Sequence, residues 1–378
     1  MNNYYVKSRI YTDKSGLREV LKQAGRAFIV TDRFMYESGK VSYLTEPLEE
    51  MGIAYQVFSE VKPDPDIATV TKGISIMLDF HPQILLALGG GSAIDAAKAM
   101  NYLAARQGLA EKCLFVAIPT TSGTGSEVSK FSVISDPEKS AKYPLVDDDM
   151  LPDAAILDAE LVRSVPPAVT ADTGIDVLTH AIEAFVSTEA NDFTDAAAEK
   201  AIKLVRSNLL RVYHEPDNLE ARQKMHHASC LAGMAFSNAG LGLNHSMAHT
   251  LGAHFHIPHG RANGILLPYV MAFNAGCLDK LTAAARRYAV IARLVKIDGP
   301  SIRQSAFSVV RSTKQMIRRL GIPESIKAAG IEKEDFERVL DDMAEAAYKD
   351  SCTRTNPRTC SKEEIRELFM RVYTGKLN

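Results

Sequence analysis

Five of the chain's ten histidines fall in one short stretch, N-H-S-M-A-H-T-L-G-A-H-F-H-I-P-H-G from Asn244 to Gly260: His245, His249, His254, His256 and His259. His245 and His249 are four residues apart, so on a helix their rings share a face. Pro258 should end that helix and present His259 from a turn. Neutral imidazole is the commonest protein ligand for a divalent transition ion, because it offers a lone pair without burying a charge. A single histidine on an apolar face is more often an ordinary core or surface residue, but five together favour a metal site. His254 and His256 flank Phe255 with a period of two and read as plain polar residues. Spacing alone does not choose between His245 and His249.

An ion held by histidines usually takes a carboxylate too. The segment T-G-I-D-V-L-T-H-A-I-E, Thr173 to Glu183, sets Asp176 and His180 four residues apart among Val177, Leu178, Ala181 and Ile182, the pattern of a buried helix. Alone, such a pair is more often a cap and a surface residue. Beside the histidine cluster it completes a set of one carboxylate and three imidazoles.

Two other stretches have the chemistry of phosphate or sugar binding. Gly89-Gly90-Gly91-Ser92 follows the apolar run Ile84 to Leu88 and precedes a helical pattern, so a phosphate could approach the backbone and the free N–H groups of a helix start. A tight turn would also need glycines there. Pro119-Thr120-Thr121-Ser122-Gly123-Thr124-Gly125-Ser126-Glu127 follows the next apolar run, and its hydroxyls on Thr120, Thr121 and Thr124 suit a polar ligand better than a plain turn does, because two glycine-rich loops end successive strands. Asp32 ends an earlier run. A carboxylate there accepts from both hydroxyls of an adenosine ribose and repels a 2'-phosphate, which argues for NAD over NADP. Its position well before the glycines departs from the usual dinucleotide fingerprint, where the acid follows them.

The elements that must position these residues alternate along the first part of the chain. Strand-like runs at 27–31, 54–58, 84–88, 114–118 and 155–157 are separated by helical patterns at 17–24, 41–51, 67–80 and 93–105, which predicts a parallel sheet covered on both faces. Ser164-Val165-Pro166-Pro167 breaks the pattern. Beyond it only helical periodicity continues, at 193–212, 219–235, 281–295, 301–320, 333–346 and 361–373, with Gly321 and Pro323 as a stop and Ser361 with Glu364 as a capping box. The expected organisation is a Rossmann-like α/β domain at 1–166 and an all-α domain at 167–378.

At 378 residues the chain can hold two cores, and a net charge of −2 gives no reason to expect nucleic acid or an anionic membrane surface as partner. Five cysteines without a C-x-x-C pair fit reduced thiols, and the first residues lack an apolar leader, so a cytoplasmic protein is expected.

The segments G-x-D-V-L-T-H-A-I-E, H-S-M-A-H-T-L-G and I-P-H-G-x-A-N, together with G-G-G-S and P-T-T-S-G-T-G-S-E, resemble the signatures of the iron-dependent, group III alcohol dehydrogenases over nearly the whole chain. The resemblance implies a dehydroquinate synthase-like architecture with Asp176, His180, His245 and His259 as ligands of Fe(II), a set that Zn(II) would also accept. It leaves His249 facing the substrate, where it is a candidate to relay the proton. It pairs Asp32 with the glycine loop and implies contacts to NAD(H) from Ser92, Asp95, Thr120, Thr121 and Lys142. Asp64 stands where the family often has asparagine, so a cofactor contact is not expected there. Within the family the likeness is greatest to members that serve propanediol-utilisation microcompartments. This implies reduction of propanal to 1-propanol with regeneration of NAD, a homodimer, and shell or enzyme partners of such a compartment. Ethanol, butanol or 1,2-propanediol would serve the same chemistry. A dehydroquinate synthase-like lyase would need extra basic side chains to hold a phosphorylated acid, and none cluster near 245–259; a scaffold protein would not need a complete ligand set.

Overall fold

The computed structural model describes residues 4–22, 24–138 and 141–377, which divide into two compact units, Tyr5–Ser164 and Val165 onward, the latter including Tyr4. The first unit is built on β1 (Arg9–Tyr11), β2 (Arg26–Asp32), β3 (Ala54–Val61), β4 (Ile84–Gly89), β5 (Leu114–Pro119), the pair β6 (Phe131–Asp136) and β7 (Ala141–Val146), and β8 (Ala154–Ile156). Its helices are α1 (Ser15–Leu21), α2 (Arg33–Glu37), α3 (Ser42–Glu50), α4 (Ile67–Phe80), α5 (Gly91–Arg106) and α6 (Ala159–Val162). Six strands form one parallel sheet in the order β1-β8-β5-β4-β2-β3.

Period-two alternation sends Phe28, Val30, Leu85, Ala87, Phe115 and Ala117 to one face, against Val70 and Met77 of α4 and Ile94, Ala97 and Met100 of α5. Ala27, Ile29, Leu86, Leu88, Val116 and Ile118 go to the other, against Leu17 and Leu21 of α1 and Leu44 and Leu48 of α3. Each fully buried Leu, Ile or Val contributes about 1.5–3 kcal/mol, which is why the central strand β4, apolar on both sides, reads as an unbroken hydrophobic run. The order also fixes where a ligand belongs. From β2 the chain steps outward to β3, and from β4 it steps the other way to β5, so the sheet reverses between β2 and β4, at the ends carrying Asp32 and Gly89.

Two features of this unit are absent from the periodicity argument. β1 has only three residues, too short to show a period, and pairs with β8. The antiparallel pair β6–β7 is hidden because its buried side includes Ser132 and Asp136 beside Ile134.

The second unit consists of α7 (Pro167–Val186), α8 (Asp192–His214), α9 (Leu219–Ala239), α10 (Leu243–Phe255), α11 (His259–Ala275), α12 (Ala285–Leu294), α13 (Ile302–Arg319), α14 (Lys333–Lys349) and α15 (Lys362–Thr374). Proline at N1 pre-sets the first turn of α7, Asn191 and Thr194 close a capping box on α8, and Ser361 and Glu364 do so on α15. α7 is buried over most of its length and so forms the centre of this unit. Among the described residues no helix is long and apolar enough to cross a membrane.

Candidate metal centre and nucleotide loops

On α7, Asp176, His180 and Glu183 are spaced i, i+4, i+7 and share one stripe. α10 presents His245 and His249 one turn apart, then ends at His256 in the left-handed conformation (φ 53°). Pro258 is the N-cap of α11, so His259 stands on its first helical residue and not in the turn expected from the proline alone. Pro258 does break the helix; its fixed φ also suits the residue that opens the next one.

These elements bring one ligand atom each from Asp176, His180, His245 and His259 within 4.8 Å of one another. Asp176, His180 and His245 are 4%, 5% and 1% exposed, whereas the His259 side chain is 45% exposed. His245 Nε2 lies 3.8 Å and His259 Nε2 3.6 Å from Asp176 Oδ1. Burial, then the neighbouring rings of His180, His259 and His249, hold His245 well below the usual imidazole pKa, so its ring is neutral. The set is therefore a carboxylate and imidazole lone pairs around a small buried volume, which fits a borderline divalent ion such as Fe(II).

Three residues that the sequence argument gave no role support this set. Glu183 accepts from His245 Nδ1, which leaves the proton there and the lone pair on Nε2. It also accepts from Asn244 N (2.7 Å), and the backbone N–H groups of Gly242 and His245 face it at the start of α10. Burial pushes the pKa of the Glu183 carboxyl upward, and those backbone donors pull it back by favouring the carboxylate. Gly242 permits this approach, since a Cβ there would lie 2.7 Å from Glu183 Oε1 and 3.0 Å from Asn356 Oδ1. Asn263, four residues along α11 from His259, donates its amide to Asp176 Oδ1 (2.7 Å) and lies 3.1 Å from His259 Nε2 and 3.2 Å from His245 Nε2. Asn244 fixes that amide by donating to its oxygen (2.8 Å). Asp350 lies 2.8 Å from His249 Nδ1. Spacing along α7 and α11 was the available signal for Glu183 and Asn263; Asp350, 101 residues from His249, had none.

The segment around Asn356 is structural. Its Oδ1 accepts from Leu243 N (3.1 Å) and Asn274 Nδ2 (2.9 Å), and Thr355 Oγ1 donates to Leu241 O (2.6 Å) while Thr355 O accepts from Thr188 N (3.0 Å). It thus buckles the end of α7 to the start of α10 and to α11.

In the α/β unit, strand register aligns the nucleotide candidates. Thr31 Oγ1 donates to Leu88 O (2.7 Å) and Thr120 N to Gly89 O (2.9 Å), so Asp32, Gly89 and Thr120 end neighbouring strands. One carboxylate oxygen of Asp32 caps α2 through Met35 N (2.9 Å); the other lies 3.5 Å from where a Cβ on Gly89 would stand. Gly90 is the N-cap of α5 and provides no side-chain cap, while Gly91 leaves room for Thr124, which a Cβ would meet at 2.8 Å. Thr120 is buried, Ser92 and Thr121 are half-buried, and Thr124 is exposed. Asp95 is turned inward: Ser126 Oγ donates to it at 2.6 Å and Val133 N at 3.1 Å, and burial raises its pKa. Beneath it Lys98 donates to Ser126 Oγ, Ser129 O and Phe131 O at 2.7–2.9 Å, tying the second loop to α5. Desolvation brings Lys98 down to about 8 and pushes Glu127 up to about 7. Lys142 is on β7 opposite Ser135; its side chain lies outside the described residues.

Residues 9–159 match the family described as iron-containing alcohol dehydrogenase, and residues 170–373 the C-terminal part of the Fe-containing alcohol dehydrogenase family. The chain is 45% identical over 373 residues to the 1-propanol dehydrogenase PduQ of Salmonella typhimurium, covering 98% of this chain and 99% of that one. It is 41% identical over 391 residues to an NADPH-dependent butanol dehydrogenase of Clostridium saccharobutylicum, covering 99% of each. A crystal structure of 1,3-propanediol oxidoreductase superposes with a TM-score of 0.91 at 33% identity, over 99% of this chain and all of that one.

Proposed function

Because the chain belongs to the iron-containing alcohol dehydrogenase family, we propose that it interconverts short primary alcohols and aldehydes with NAD(H), propanal and 1-propanol first among them. The observation that carries this reading is the convergence of Asp176, His180, His245 and His259 on one small volume. A divalent ion bound there, Fe(II) by family, supplies Lewis acidity that polarises the substrate oxygen. The protein's own groups do the rest. Glu183 and Asn263 keep the ligand atoms oriented, with His245 Nε2 unprotonated. In this reading His249 takes the hydroxyl proton as an alcohol loses hydride to the oxidised nicotinamide and returns it in the reverse direction, a role supported by its ring centroid lying 5.6 Å from that of His259 and 6.1 Å from that of His245.

A three-carbon substrate is supported by full-length similarity to a 1-propanol dehydrogenase, though a methylene more or less changes specificity by only ~1–3 kcal/mol. NAD is supported by Asp32, whose negative charge beside the glycine loop disfavours a 2'-phosphate. The test combines anaerobic metal analysis with a panel of two- to four-carbon aldehydes, each with NADH and NADPH, on the wild type and on Asp32→Ser, which retains a helix-capping oxygen without the charge. The expected result is bound iron, fastest turnover with propanal and NADH, and a shift of more than about tenfold toward NADPH in the variant. Iron-loaded protein that oxidises NADH with none of the aldehydes would sink the reading.

A further inference from the structure

His249 is 43% exposed, yet one of its ring nitrogens is committed: Nδ1 lies 2.8 Å from Oδ2 of Asp350, whose side chain is only 19% exposed. Asp350 sits where α14 ends and the short helical turn Ser351–Thr355 begins, and its own N–H is bonded to Ala346 O (3.0 Å). Its second oxygen, Oδ1, accepts from Cys352 N (2.8 Å) and from Ser246 Oγ (3.3 Å), one turn before His249 on α10. The carboxylate is thus gripped from behind and points one oxygen at the ring. Burial alone would raise its pKa, but His249 and the donors at Cys352 outweigh burial and bring it down to about 2, so at neutral pH it can only accept.

We propose that Asp350 is a positioning residue for the dehydrogenase reaction: it holds His249 in the tautomer protonated on Nδ1, so that Nε2 offers the lone pair that receives the alcohol proton. This rests on the reading of His249 as the proton relay. When an alcohol is oxidised, its O–H proton goes to Nε2, the C–H hydride goes to the oxidised nicotinamide, and the C–O bond becomes a carbonyl; the reverse returns each. A carboxylate behind a histidine serves hydrolytic triads in the same way, by fixing tautomer and orientation. The three groups His249, Asp350 and Cys352 also lie close enough to be considered as ligands of a second ion. Burial, then the nearby carboxylates of Asp350 and Glu183, hold the Cys352 thiol well above its usual pKa, which favours the protonated thiol.

The geometry makes Asp350→Asn a sharp test. The donors at Cys352 N and Ser246 Oγ demand that the amide oxygen take the place of Oδ1, which leaves the amide NH2 facing His249 Nδ1. That nitrogen must then become an acceptor and the proton must move to Nε2. In the full-length, metal-loaded protein, D350N should keep its metal content and its KM while kcat falls about 100-fold. D350N should add nothing to the loss seen in His249→Ala, and Asp350→Glu should recover part of the rate. Nitrogen-15 spectra of the zinc-loaded protein should show His249 protonated on Nδ1 in the wild type and on Nε2 in D350N, a change that mere loosening of the fold would not produce. Full turnover in H249A would overturn the relay reading and the proposal with it. An impaired H249A beside a D350N unchanged in rate or in ring tautomer would overturn the role of Asp350 alone.

Discussion

At the scale of single residues, Glu183 sets which nitrogen of His245 carries the proton. One of its oxygens is held by Asn244 N, so in Glu183→Gln the amide NH2 would face His245 Nδ1 and drive the proton onto Nε2, the atom that faces the other three candidate ligands. Metal affinity should fall about 10–100-fold, the usual cost of losing such a partner, as measured by chelator competition; unchanged affinity would show that His245 is not a ligand. The four residues that converge here were legible in the sequence because several histidines and an aspartate at helical spacing have few other reasons to cluster. Glu183 and Asn263 were legible only in part. Their spacing from His180 and His259 is printed in the chain, but a glutamate or asparagine there is equally at home on a solvated face until packing shows it buried.

At the scale of elements, the centre depends on how closely α11 meets α7. A Cβ on Gly260 would lie 2.1 Å from Asp172 O and 3.3 Å from Asp176 Cβ, so the first turn of α11 rests directly on the α7 backbone. Gly260→Ala should push that turn away and shift His259 and Asn263 together, costing about 1–3 kcal/mol of stability by overpacking and weakening metal binding as well. Thermal melting read beside metal titration checks this, and loss of stability without loss of affinity would show that the contact is not what places His259. The long helices were readable from their apolar stripes, and the central strands from short runs apolar on both faces. β1, the β6–β7 pair and the entry of His259 on a helix were not, since a three-residue strand has no period and a proline ends one helix as readily as it starts another.

At the scale of the whole molecule, folding stability should carry a pH signature from the α/β unit. Burial raises Glu127 to about 7 from an unfolded value near 4.5 despite the pull of Lys98. A raised folded pKa means that its contribution is complete below about 4.5 and is lost as pH climbs through 7, by roughly 3 kcal/mol at most. The stability difference between the wild type and Glu127→Gln, from denaturant melts, should therefore drift against the wild type across that window and be flat on either side; a difference independent of pH would mean that Glu127 is not desolvated. The buckle at Thr355 and Asn356 has a consequence of another kind. Asp176 leaves the ribosome long before Asn356 does, and that later segment adds its own fastening of the ends of α7 and α10 to the bonds that Glu183 makes with Asn244 and His245. During synthesis the four converging side chains therefore lack part of their support until residue 356 has emerged, and the centre gains its full rigidity late.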